Sequence, residues 1–119
     1  MNPPDAAGCR TIVKQLADAS LPGLARTRDL LGVTMAKTTL NGVPGYILTI
    51  PPAHANQVIY NIHGGGYVYG PGESGMAEAI PMAGIGGYKV IAADYRMPPD
   101  ALYRPPWMTR WRAIKPCWP

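Results

Sequence analysis

The sequence contains few of the side chains on which catalytic and metal sites depend. Among its 119 residues there are two cysteines, two histidines and two serines. Cys9 and Cys117 lie near opposite ends and lack the spacing of metal ligands. No metal site is therefore expected. Two unrelated thiols are favoured over a disulfide, for which the sequence offers no support.

Long apolar runs are also absent. No run reaches the length of about 18 apolar residues that a transmembrane helix requires, so we expect no membrane span. The segment Met1–Asp5 has neither the basic start nor the apolar stretch of a secretory signal, which predicts a cytoplasmic location. An apolar fraction of 47% and a charged fraction of 15% are typical of a globular protein, and the length suits one small domain.

The excess of positive charge is confined to the end of the sequence. The net charge is +4, which by itself would suggest a nucleic-acid partner. Up to Tyr103, however, seven basic and seven acidic residues cancel, and the excess comes from Arg104, Arg110, Arg112 and Lys115. We therefore expect no nucleic-acid partner. A salt-dependent contact of this tail with nucleic acid or a membrane surface is a minor alternative.

Helical patterns dominate the first 32 residues. Apolar residues at helical spacing predict an amphipathic helix over Thr11–Ala19, with Ile12, Val13, Leu16 and Ala19 on its apolar face. Ser20 can cap a second helical segment that ends at Gly32, with Pro22 in its first turn. Residues 1–32 are thus predicted to form an N-terminal helical segment.

Four strands are predicted in residues 33–103. The pair Asn41-Gly42 is a strong hairpin signal between the first two strands, and the third strand is expected to be buried on both faces. A helix that begins near Glu73 or Ser74 and is broken at Pro81 then leads to the fourth strand, giving a βαβ unit. The fold class is α/β, with an antiparallel hairpin leading into a parallel sheet. The predicted strands are Val33–Leu40, Gly45–Ile50, Gln57–Ile62 and Lys89–Ala93.

A glycine-rich loop, His63-Gly64-Gly65-Gly66, directly follows the third strand. Such a run lets the backbone turn sharply and leaves amide groups that can bind a negatively charged oxygen, as in acyl transfer. The spacing does not match the phosphate-binding patterns Gly-x-Gly-x-x-Gly or the P-loop. A simple turn is the remaining alternative.

The loop and the fourth strand together resemble one family. The motif His63–Gly66, followed by a helix and by Val90–Asp100, is similar to the hormone-sensitive-lipase-like carboxylesterases of the α/β-hydrolase fold. The resemblance covers roughly Thr11–Tyr103. It implies a partial α/β-hydrolase core over residues 33–103, a small acyl ester as substrate of the intact relative, and no cofactor, because acyl transfer of this type needs none.

The resemblance also implies roles for the motif residues. Gly65 and Gly66 would donate the oxyanion-hole N–H groups, with Gly64 shaping the turn and His63 structural. Tyr67 and Tyr69 would line the substrate side. The segment Asp94–Arg96 would hold the neighbouring loop by hydrogen bonds and ion pairing, and an Asp94–Arg96 pair that is only structural is the favoured interpretation of those charges. This segment, Asp94-Tyr95-Arg96, directly follows the fourth predicted strand.

No catalytic triad is present. In this fold the order is Ser, then Asp or Glu, then His, but both histidines, His54 and His63, precede Ser74. The stretch around Ser74 resembles Gly-x-Ser-x-Gly only superficially, because position 76 is Met, and Ser74 is interpreted as a helix cap. The sequence thus predicts an N-terminal fragment of a serine ester hydrolase that is inactive alone; the alternative is a non-catalytic acyl-ligand-binding or regulatory module.

The tail over residues 104–119 departs from the family, which continues here into an acidic, Ala-rich helix. Trp and Met have single codons, so Trp107-Met108-Thr109 read one base earlier must give Asp-Asp. This suggests a frameshift after Tyr103 and a disordered, aberrant tail. A partial sheet with the Lys89–Ala93 strand at its edge is expected to be marginally stable or aggregation-prone. The oligomeric state is not indicated.

Overall fold

The computed structural model describes residues 5–51, 57–66 and 68–98. Tyr67 and the tail over residues 104–119 lie outside the described residues, as do His54 and Cys117. The elements are α1 (Ala6–Leu30), β1 (Thr34–Leu40), β2 (Val43–Thr49), β3 (Val58–Ile62), a 3-10 turn (Gly72–Met76), α2 (Ala79–Gly84) and β4 (Lys89–Ala93).

The N-terminal region is one continuous helix, so the prediction of two segments was wrong. Asp5 caps α1, its Oδ1 accepting the Gly8 N–H at 2.7 Å. Ser20 caps nothing, because its Oγ donates to the Ala17 carbonyl within the helix. Pro22 lies inside α1, and Leu24 beyond it packs against the core. Packing on both sides of the proline thus outweighs its local cost to the helix.

The packed face of α1 also differs from the prediction. Ile12 and Leu16 are 44% and 50% exposed, and Ala19 is exposed as well. The half-buried positions recur about every four residues, which places them on one side of the helix. This side lies against the 3-10 turn and α2. Its apolar residues are Val13, Ala17, Leu21 and Leu24. Although α1 has 25 residues, no helix among the described residues has the length and apolarity to cross a membrane.

The described strands form a four-stranded sheet in the order β1-β2-β4-β3. The predicted hairpin is confirmed: β1 and β2 are antiparallel, with Leu40 opposite Val43. The turn residues Asn41 and Gly42 both have positive φ, 49° and 82°, which is the signature of a type I′ turn. β3 and β4 are parallel and are joined through α2. The predicted passage from an antiparallel hairpin to a parallel pair is therefore confirmed.

Two sheet predictions were wrong. β4 was expected at the edge, but it lies between β2 and β3; its residues Val90, Ala92 and Ala93 are fully buried. β3 was expected to be buried on both faces, but it is the edge strand and Val58 is 54% exposed. An apolar run alone does not distinguish a central strand from an edge strand, because both bury apolar side chains on the sheet faces.

The main core lies between one sheet face and the helices. Leu48, Met76 and Val90 are the largest fully buried side chains, and Ile80 and Ala83 of α2 join them. The predicted helix near Ser74 is in fact a 3-10 turn followed by short α2. Pro81 lies in the first turn of α2, where a helix makes no use of the missing N–H.

A pair of leucine variants tests where stability resides. We expect Leu48→Ala to lower the free energy of unfolding by about 2–5 kcal/mol, because it leaves a cavity in the core. Leu30→Ala is the matched control, since Leu30 is 77% exposed, and its effect should stay within about 0.5 kcal/mol. Urea unfolding followed by circular dichroism measures both. Equal losses would contradict the described core.

Candidate oxyanion loop

The glycine-rich loop leaves β3 at its carboxyl end. Gly64, Gly65 and Gly66 are exposed, and Gly65 and Gly66 have φ values of 115° and 62°. The Gly65 carbonyl accepts the N–H groups of Val68 and Tyr69, each at 3.0 Å, which closes the turn. A Cβ at Gly65 would overlap the Tyr69 carbonyl. Position 65 therefore requires glycine, both because its φ is positive and because a side chain would overlap the Tyr69 carbonyl.

Two amide groups of this loop, those of Gly65 and Gly66, have no acceptor among the residues that the structure describes. Both residues are exposed, and a Cβ built at Gly66 would have no heavy atom within 4 Å. Adjacent backbone N–H donors in an open glycine turn can bind an anionic oxygen.

His63 supports the loop from beneath. It is only 3% exposed, and its Nδ1 lies 2.8 Å from the Gly64 carbonyl; because a carbonyl only accepts, Nδ1 carries the proton. A Cβ at Gly70 or Gly75 would come within 2.8 Å of the ring. Nε2 is buried and has no hydrogen-bond partner among the described residues. The imidazole is thus a packed structural element.

The end of β4 is joined to the loop by two hydrogen bonds. Tyr95 stacks on His63 with ring centroids 4.5 Å apart and planes at 16°, and its hydroxyl donates to the His63 carbonyl at 2.7 Å. Asp94 Oδ1 accepts the Gly72 N–H at 2.9 Å. Sequence-adjacent residues of one strand end therefore hold both ends of the glycine-containing segment.

The predicted Asp94–Arg96 ion pair was wrong. Both residues are described, and no ion pair joins them. Arg96 is exposed, whereas Asp94 uses a carboxylate oxygen to accept the Gly72 amide. Alternation along an extended backbone allows residues two apart to share a side, but here the Asp94 carboxylate is bound by the loop instead.

Two clefts adjoin the loop. The smaller, about 310 Å³, lies between α1 and the loop, and Tyr69, 48% exposed, lines it. A larger cleft of about 790 Å³ lies between α1, the loop after β3 and the segment after β4. Asp94, Tyr95 and Arg96 line that larger cleft. The smaller cleft is lined by Val13, Leu16, Ala17, Ser20, His63, Gly64, Gly65, Tyr69, Gly70, Ser74, Gly75, Ala77 and Glu78.

Three residues at the site were not predicted from the sequence: Tyr46, Gly70 and Gly75. Gly70 and Gly75 are where the chain passes closest to the His63 ring; their only sequence signal is glycine recurring after the first motif. Tyr46 lies on β2 and is buried. Burial raises the pKa of its hydroxyl, and the negative charges of Asp94 and Glu73 raise that pKa further.

Ser74 does not act as the predicted helix cap. It lies within the 3-10 turn, and its Oγ donates to the Pro71 carbonyl at 2.7 Å. No group of three or more His, Cys, Asp or Glu side chains able to hold a metal ion occurs in the described ranges.

The fold is the N-terminal part of an α/β-hydrolase fold, as comparison with solved structures shows. Esterase E25 matches with a TM-score of 0.89 and 24% identity, over 97% of this chain and 36% of that esterase. Esterase LipW from Mycobacterium marinum matches with a TM-score of 0.74 and 23% identity, over 92% and 36%.

The chain also resembles esterases of the hormone-sensitive lipase group. A bacterial esterase of that family matches with a TM-score of 0.62 and 27% identity, over 75% of this chain and 32% of that one. The chain thus spans about a third of the esterases it matches. No protein-family model and no curated protein sequence matches this chain.

A tyrosine variant tests the hydrogen bond between Tyr95, after β4, and His63, after β3. We expect Tyr95→Phe to lower the free energy of unfolding by about 1–3 kcal/mol, because the buried His63 carbonyl loses a hydrogen-bond donor. Tyr69→Phe removes the same atom from an exposed ring and should change stability by no more than about 0.5 kcal/mol. Urea titration of both variants is the measurement; indistinguishable midpoints would contradict the described role of Tyr95.

Tyr46 makes stability depend on alkaline pH. Its pKa is raised in the folded chain, so above the unfolded tyrosine pKa of about 10 the folded state binds more protons than the unfolded state. Stability should therefore fall as pH rises through that window toward the folded pKa. Unfolding measured across this range should show a smaller decline for Tyr46→Phe. An equal decline in the two proteins would contradict the raised pKa.

Proposed function

We propose that this chain provides the oxyanion loop of a serine carboxylic ester hydrolase, with the N–H groups of Gly65 and Gly66 as donors. The observation that supports this most strongly is that Gly65 and Gly66 are exposed, have positive φ values, and have N–H groups that no group among the described residues accepts. The resemblance to hormone-sensitive-lipase-type esterases agrees with it. Negative charge develops on the ester carbonyl oxygen when a nucleophile attacks, and preorganised donors stabilise that charge.

The proposed substrate is a small acyl ester. The cleft of about 310 Å³ beside Gly65 has apolar walls supplied by Val13, Leu16 and Ala17 of α1 and by Tyr69. A neutral, partly apolar ester fits such walls, and its carbonyl can reach the loop amides at one end. In this proposal Tyr69 lines the substrate side, and Tyr67 has the same role in the family pattern.

We further propose that the 119-residue chain does not hydrolyse esters by itself. Ser74 Oγ is bound to the Pro71 carbonyl and Ser20 Oγ to the Ala17 carbonyl. The His63 Nδ1 proton is directed to the Gly64 carbonyl. A serine nucleophile requires a base within hydrogen-bond reach, and neither described serine makes a hydrogen bond to His63.

In this proposal, residues 104–119 arise from a frameshift in the coding sequence. The charge and tryptophan content of the chain change abruptly after Tyr103, and the shifted frame gives the acidic pair Asp-Asp from Trp107-Met108-Thr109. In the shifted frame we expect an acidic helix, then a serine on a nucleophile elbow, then an acid and a histidine, in the chain order of this fold.

The proposal is tested by sequencing the coding DNA beyond codon 103 and by expressing two proteins, the 119-residue chain and the frame-corrected protein. The 119-residue chain should release no product from a short-chain 4-nitrophenyl ester above the rate of its own Gly65→Ala variant. The frame-corrected protein should hydrolyse that ester. Gly65→Ala in it keeps the N–H but adds a Cβ that would overlap the Tyr69 carbonyl and displace the loop, so kcat should fall by about 100- to 1000-fold, the loss typical of an oxyanion donor. Hydrolysis by the 119-residue chain above its Gly65→Ala control would refute its inactivity.

The alternative is a non-catalytic module that binds acyl ligands. The cleft favours it, because α1 and the glycine-rich loop of this chain both supply its walls. If no neighbouring frame continues into a serine elbow, this alternative replaces the hydrolase proposal. It then requires saturable binding of a short fatty acid that Leu16→Asp, at the cleft wall, weakens.

A further inference from the structure

Glu78 is the one carboxylate among the described residues that line the cleft of about 310 Å³ beside the glycine-rich loop. It directly precedes α2, whose first residue, Ala79, is buried in the core, so its place at the cleft is set by the packing of α2. The lining residues that the structure describes include no lysine and no arginine. Apart from the His63 imidazole, the cleft wall therefore carries only negative charge.

The Glu78 carboxylate has no ion-pair partner among the described residues. The ion pairs of this part of the chain join Lys14 to Asp18 and Arg28 to Asp29, and neither includes Glu78. The side chain also makes no capping hydrogen bond to α2. The field of a carboxylate in a cleft with low-dielectric walls is focused toward whatever occupies the cleft. An occupant with a positive charge is therefore favoured over a neutral or negative one.

Tyr69 adds an aromatic ring to the same cleft. It is 48% exposed and lines the cleft together with the apolar residues Val13 and Leu16 of α1. Aromatic rings attract cations through the negative charge of their faces, and quaternary ammonium ligands are recognised in this way. Apolar walls suit the methyl groups of such a cation, whereas a metal ion would find a single carboxylate. The chemistry of the walls therefore favours an organic ammonium group.

We propose that Glu78 makes this cleft selective for small esters that carry an ammonium group. The ester carbonyl lies at the Gly65 and Gly66 amides, and the cationic group lies at Glu78 and Tyr69. This inference rests on the proposed ester-binding function, because it assigns a second group of the same substrate. It adds a charge preference that the glycine motif does not imply.

Two esters of the same shape, titrated into the ¹⁵N-labelled 119-residue chain, test the proposal. Butyrylcholine carries a quaternary ammonium group, and 3,3-dimethylbutyl butyrate has a carbon atom in place of that nitrogen, so the two differ in charge. The shifts of the Gly65 and Gly66 amides give both dissociation constants. Butyrylcholine should bind about 2- to 5-fold more tightly, as expected for a partly exposed ion pair, and added salt should reduce that preference.

A matched pair of variants assigns the preference to one carboxylate. Glu78→Gln keeps the size of the side chain and removes its charge, so it should bring the two affinities together. The variant should fold, because α2 takes no cap from this side chain. Glu73→Gln is the control, since Glu73 lies in the neighbouring 3-10 turn and lines the larger cleft instead. It should keep the preference for butyrylcholine.

The possible failures separate this inference from the proposed function. If the neutral ester shifts the two glycine amides saturably but butyrylcholine binds no more tightly, the role of Glu78 is refuted and the ester-binding loop stands. The same conclusion follows if the preference survives Glu78→Gln, or if Glu73→Gln removes it equally. If neither ester shifts these amides, the ester site itself is wrong, and the charge preference is refuted with it.

Discussion

The packing of one buried imidazole governs the geometry of the candidate site. The His63 ring stacks on Tyr95 and lies against Gly70 and Gly75, where a Cβ would come within 2.8 Å of the ring. Tyr95 binds the His63 carbonyl, and Gly64 accepts from the ring, so the end of β3 and the end of β4 are held together. The glycines that follow, Gly64, Gly65 and Gly66, are exposed. The loop is thus positioned by buried contacts beneath it, which is how a preorganised set of donors can persist without a ligand.

Local sequence signals predicted the elements that depend on local chemistry. The hairpin followed from Asn41-Gly42, whose residues tolerate positive φ, and the glycine loop followed from its position after an apolar strand. What failed depended on tertiary contacts. The exposure of Leu16 and the continuity of α1 through Pro22 follow from packing on the 3-10 turn and α2. The strand order follows from β4 pairing with both β2 and β3, which no short window encodes.

At the candidate site, too, local features were predicted from the sequence and tertiary contacts were not. The motif predicted a glycine turn at Gly65 and Gly66, and their conformations agree with a tight glycine turn. The hydrogen bond from Gly72 to Asp94 spans 22 positions, so the family resemblance could suggest that Asp94 holds a neighbouring loop but not which amide its carboxylate accepts. The supporting roles of Gly70 and Gly75 required the position of the His63 ring, and the surroundings of Tyr46 required the sheet.

The proposed oxyanion role requires that the N–H groups of Gly65 and Gly66 can bind an anionic oxygen. A titration of the ¹⁵N-labelled chain with butyrate, followed by two-dimensional ¹H–¹⁵N spectra, tests this requirement, because the carboxylate oxygen stands in for the oxyanion. We expect saturable shifts of the Gly65 and Gly66 amides with one shared affinity, while the hairpin amide of Gly42, also a glycine at positive φ, stays unmoved. Unsaturable shifts, or shifts of the same size at Gly42, would refute the proposed role of these amides.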